Sequence, residues 1–136
     1  MYDLSDLYGN REDQDAGAWF EALDPIAGKP TGLRFLIAGP DSTVQAKARL
    51  ALIDDLADAS DDDGRVNAEA REKARLNQLA RVILAWEAYE DGQPLACTHV
   101  NKLRLLRAGQ WLQAQIDNRA ASRLPFPIVQ GDHAAD

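Results

Sequence analysis

Cys97 and His99 are the nearest approach to a reactive pair in this chain. A nucleophilic cysteine needs a base or cation that stabilises its thiolate. A triad needs a histidine held in register by a third group. No such third group can be picked out around His99, whose place at a predicted helix start suits a surface or capping residue. Zinc needs about four Cys, His or carboxylate ligands, and beyond Cys97 and His99 the chain offers only His133 from the imidazole and thiolate set. The acidic run Asp58-Ala-Ser-Asp61-Asp62-Asp63-Gly64 invites a calcium-loop reading, with glycine at the sixth position and a bidentate glutamate at the twelfth. With Gly64 sixth, the first and twelfth positions are Ala59 and Ala70; with Asp58 and Glu69 at the two ends, the glycine falls seventh. Neither register supplies a site, and the run reads as a helix end followed by a turn. Glycine-rich phosphate loops are also missing. The sequence therefore predicts no catalytic residue, no metal and no cofactor. It points to a protein that works through its surface.

The elements that would build that surface follow from pattern and punctuation. Residues 1–16 are polar and acidic and read as a flexible arm. Ala18–Leu23 alternates as a strand, with Trp19, Glu21 and Leu23 on one face and Phe20 and Ala22 on the other. After a Gly/Pro-rich link, Leu33–Ala38 reads as a second strand with Leu33, Phe35 and Ile37 on one face. Together they predict an N-terminal β-hairpin, which is marginal alone and must lie on helices or pair with another chain. Ser42 and Gln45 fit a capping box that opens a helix to about residue 59, with Val44, Ala48, Leu52 and Leu56 in one stripe. Leu76, Leu79, Ile83 and Trp86 recur at spacings of three, four and three, which predicts a single long helix from about Arg65 to Tyr89. Asp91-Gly92-Gln93-Pro94 is a turn. Thr98 caps a short helix carrying Val100, Leu103 and Leu106, and after Gly109 a last helix carries Trp111, Leu112 and Ile116. The fold class expected is α+β, mainly α: a hairpin followed by a small bundle of about four helices. Residues 17–124 make one globular domain, and residues 125–136, opening with Pro125-Phe126-Pro127, an extended tail.

The stretch from Ile83 to Arg119 carries a recognisable order: Trp86, the Asp91-Gly92-Gln93-Pro94-Leu95 turn, the capping Thr98, Leu105-Leu106, Trp111-Leu112 and Gln115-Ile116. A looser match runs from Gly17 to Ser42, as Gly17-Ala-Trp19-Phe20, Asp24-Pro25, Gly28-Lys-Pro30-Thr-Gly32, an apolar strand and Gly39-Pro-Asp41-Ser42. This layout resembles the tail assembly chaperone and minor tail protein group of long-tailed bacteriophages. The chain departs from the pattern at His99-Val100, where Pro-Glu is usual, at Gln110, where proline is common, and at Asn118, where aspartate is common. The resemblance implies a non-enzymatic chaperone in the host bacterial cytoplasm. Its partners would be the tape-measure protein, which it keeps soluble, and the tail-tube protein, whose assembly it promotes, with self-association along a long target. Two other readings stay open: a minor structural or tail-completion protein that remains in the virion, and a small acidic regulator that binds a basic protein. Candidate contact residues are Trp19 and Phe35 on the hairpin, and Leu103, Leu106, Trp111 and Ile116, which would wall a groove for an amphipathic helix or else close into core.

Bulk composition bounds the partners. At 136 residues the chain is one domain of common size. No apolar run approaches the ~20 residues of a membrane span, and the acidic start lacks the basic and apolar parts of a signal peptide. Net charge is −7, set by residues 1–63, which hold 14 acidic and 5 basic side chains; residues 97–136 hold 3 and 5. Phosphate backbones repel such a chain, so neither nucleic acid nor membrane is an expected partner.

Overall fold

The computed structural model describes residues 1–131. Their elements run α1 (Leu4–Ala16), β1 (Ala18–Leu23), β2 (Pro30–Ile37), α2 (Thr43–Asp58), α3 (Ala68–Arg81), β3 (Ile83–Glu87), β4 (Tyr89–Glu90), β5 (Gln93–Pro94), α4 (His99–Ala108) and α5 (Gln110–Ala120). The class is mixed α+β. Among the described residues five helices accompany a three-stranded antiparallel sheet of order β1-β2-β3 and a two-stranded β4-β5 ribbon.

The largest departure from the sequence reading is the single helix expected from residue 65 to 89. Helix ends at Arg81, and residues 83–87 become the third strand, paired to β2. The apolar spacing that looks helical has another cause. Phe35 faces Trp86 and Ile37 faces Ile83, so the register slips between Leu36 and Ile37. Such a bulge adds one residue to a strand and shifts its alternation. Ile83 and Trp86, three apart, are thereby both buried. The β1–β2 pair is consequently no free hairpin, because β3 covers the other edge of β2.

The core lies on one face of this sheet. Phe20, Phe35 and Trp86 are cross-strand neighbours, with ring centroids 5.6 Å apart for the first pair and 6.3 Å for the second, the latter edge to face. Leu76 and Leu79 of α3, Leu106 of α4, and Leu112 and Ile116 of α5 belong to the same buried cluster. Gln115 fixes α5 to β1, since its side-chain amide both donates to Leu23 O and accepts from Leu23 N. The outer sheet face is open. There Arg34 stacks over Trp19 at 5.0 Å and pairs with Glu87 at 2.9 Å.

Residues 1–16 are also a correction: they form no flexible arm. Asp3 caps α1 through a reciprocal box with Asp6. The helix then docks by its polar side. Gln14 is buried; its amide oxygen accepts from Asp41 N, and its nitrogen donates to Asn10 Oδ1 and Asp41 Oδ2. Asp15 caps α2 from outside, accepting from Thr43 N, Thr43 Oγ1 and Val44 N. The tail follows α1 rather than extending freely. Phe126 is buried, its carbonyl accepts from Asn10 Nδ2, and Gly131 N donates to Asp6. His133 lies outside the described residues.

Candidate protein interface

The segment from Trp86 to Leu112 builds a groove. Asp91 and Gly92 both take positive φ, 51° and 79°, as a tight turn between right-twisted strands requires. That turn folds β5 back onto β4. Trp86 Nε1 donates to Leu95 O at 2.8 Å, and Leu95 N to Ala88 O, so the returning chain is pinned to the end of β3. Thr98 Oγ1 then accepts from Asn101 N and starts α4, as its residue type predicts. Lys102 reaches back to donate to Ile83 O. Gly109 ends α4 and opens α5 at once. A Cβ there would stand 2.9 Å from Leu112 Cδ1, so a side chain at this corner would have to displace the end of Leu112. Buried Gln113 ties the corner together by donating to Leu106 O and accepting from Arg75.

Between the β4–β5 ribbon and the α4–α5 corner lies a concavity of about 660 Å³. Leu33, Leu95, Leu105, Trp111 and Leu112 give it an apolar lining, and Tyr89, Glu90, Arg104 and Arg107 contribute polar or charged groups. Arg104 is paired with Glu90 at 2.5 Å. Arg107 is exposed, and no ion pair to it is found among the described residues. The concavity between α2 and α3 differs in kind, being smaller, about 410 Å³, and lined by Asp55, Asp58, Lys73 and Asn77 among others.

Of the six residues singled out for contact, the structure divides three from three. Phe35, Leu106 and Ile116 are fully buried and present no surface in this conformation. The three-residue spacing that put Leu106 on a groove wall turns it into the core instead, and Leu105 takes its place in the groove. Leu103 is half-buried against the core. Trp111 lines the groove. Trp19 is 43% exposed, on the outer sheet face and away from this groove. Sequence reasoning missed Leu33, Leu95 and Leu105. Leu95 stands in the recognisable turn and could have been found there; Leu33 joins the site only through the β2–β3 pairing.

The residues suspected of chemistry have other neighbours. Cys97 is half-buried, and burial pushes its thiol up, against a smaller downward pull from Lys102. The ring of His99 is hydrogen-bonded through Nε2 to Asn77 Oδ1 at 2.8 Å. Its pKa is lowered by desolvation first and then by Arg81 and Lys102, against a smaller contrary pull from Asp55. Asp61 accepts from Asp63 N and Arg65 N within its own turn. Among the described residues no three His, Cys, Asp or Glu side chains gather as metal ligands, and no helix is long and apolar enough to cross a membrane. No family model, curated protein or solved structure matches this chain.

Proposed function

We propose that this protein is a tail assembly chaperone of a long-tailed bacteriophage. It acts in the host cytoplasm without catalysis. It binds amphipathic helices of the tape-measure protein, keeps that protein soluble while tail-tube subunits assemble along it, and then leaves. The observation that carries this reading is the apolar groove of about 660 Å³ at the α4–α5 corner. Apart from Leu33, its lining comes from the same stretch, Trp86 to Leu112, whose residue order resembles the chaperone group. An amphipathic helix docks by sinking apolar residues at turn spacing into such a groove. Apolar Leu95, Leu105 and Trp111 would receive them, while Arg107 selects acidic flanks.

Co-expression with the tape-measure protein encoded nearby tests this. The proposal expects more soluble partner and co-purification of the two chains, with none of this protein in finished particles. Unchanged solubility without co-purification contradicts it, and so does recovery of the chain in purified virions.

A further inference from the structure

Helix α1 is built inside out. Its protein-facing side is polar: Asp6 and Gln14 are buried and Asn10 is half-buried. Its solvent side carries Leu4, Leu7 and Tyr8, which are 60%, 48% and 51% exposed. Positions three and four apart share a helix face, so these three form one apolar stripe. A surface helix normally turns such a stripe inward. In a single copy about half of the surface of these side chains stays exposed. The surrounding charge is acidic: residues 1–16 hold five acidic side chains and one basic, Arg11, which lies over the Tyr8 ring at 5.4 Å.

The groove at the α4–α5 corner has an apolar lining, and beside it stand Arg104, which is paired with Glu90, and Arg107. We infer that α1 of one copy docks its Leu4-Leu7-Tyr8 stripe in the α4–α5 groove of a second copy. Apolar surface meets apolar surface, and Arg107 of the groove meets a helix of net negative charge. The helix does not serve its own groove while its clamps hold. Asp15 on the start of α2, and Gln14 against Asp41, keep the C-terminal end of α1 beside Gly39. Gly17, just beyond α1, packs on Ile37 at one end of β2. The groove opens by Leu33, about 13 Å away along that strand at ~3.3 Å per residue. Donor and acceptor are different surfaces, so a single contact leaves one free helix and one free groove, which either close on each other in a pair or ring or extend a chain. The inference goes beyond the chaperone reading and stands without it. If both hold, a tape-measure helix displaces α1 from the groove.

Sedimentation velocity on the full chain, with Leu7→Glu and Ala108→Glu variants, tests it. Wild type should shift to larger species as concentration rises. Each variant alone should sediment as a single copy. An equimolar mixture of the two should form a two-copy complex and grow no further, because only the Ala108→Glu copy retains a donor helix and only the Leu7→Glu copy retains a groove. Circular dichroism checks that each variant keeps its fold. If one does not, the exposed substitutions Tyr8→Glu and Arg107→Glu replace the pair with the same expectations. A single-copy wild type at every concentration overturns the inference. So does a variant that associates like wild type, or a mixture that stays as single copies. No tape-measure protein is present, so the outcome is independent of the co-expression test.

Discussion

Gln14 joins the N-terminal helix to the rest of the molecule, and its surroundings leave no room for error. A Cβ on Gly39 would stand 2.5 Å from Gln14 Oε1 and 2.7 Å from Gln14 Cβ. The side chain cannot swing aside without giving up its bonds to Asp41 and Asn10. Gly39→Ala should therefore cost about 1–3 kcal/mol, the usual range for overpacking, read from urea unfolding. Next to it, Asp15 makes the same joint sensitive to acid. Partial burial pushes its pKa up, but hydrogen bonds from the Thr43 side chain and the Val44 and Thr43 amides, with Arg11 nearby, outweigh that and hold it below the usual value. A folded pKa below the unfolded one means the stabilisation is complete above about pH 4 and is lost as pH falls through the lower folded value. The melting temperatures of wild type and Asp15→Asn should accordingly differ most near about pH 7 and converge toward about pH 3. A gap that widens on acidification would contradict the assignment. In the sequence α1 was hidden because its docked face is polar, and periodicity searches look for apolar faces. The Asp3 and Asp6 spacing was the available signal, as an acidic variant of the capping box.

At the scale of elements, helix starts were legible and long-range pairing was not. Ser42 and Thr98 cap α2 and α4 through their side-chain oxygens, as their residue types imply. Gln45, expected to complete a reciprocal box with Ser42, instead donates to Ala38 O and Ala120 O and ties α2 to both ends of the fold. The strand β3 was misread because a bulge mimics helical spacing, and because its hydrogen-bond partner β2 begins over fifty residues earlier. Local pattern carries no information about such a partner. The groove was legible in part: Trp111 was identified, Leu105 was passed over for Leu106, and Leu33 depends on the sheet. Burial separates the neighbours Leu105 and Leu106. Leu106→Ala, at a position with no exposure, should cost about 2–5 kcal/mol in urea unfolding. A substitution costing under about 1 kcal/mol would show that α4 does not pack as described.

At the scale of the whole molecule, the groove and the inside-out helix lie on one chain, and the acidic residues are concentrated N-terminal to the groove segment. Contacts across such a charge contrast weaken as salt rises, because the screening length shortens from ~10 Å at 0.1 M to ~3 Å at 1 M. Partner binding through the groove should therefore fall with added salt in pull-down assays, and Arg107→Glu should flatten that dependence. A binding strength indifferent to both would remove the electrostatic part of the account while leaving the apolar part. The apolar part is met most directly by Ala108→Glu, which places a carboxylate on the exposed lining of the groove. The deciding measurement is the soluble fraction of tape-measure protein co-expressed with wild type, with the Ala108→Glu variant, or alone. The expected result is a rise with wild type that falls back, for the variant, to the level of the tape-measure protein alone, although the variant itself stays folded. An equal rise for both, or none for either, would contradict the claim that this groove holds the partner.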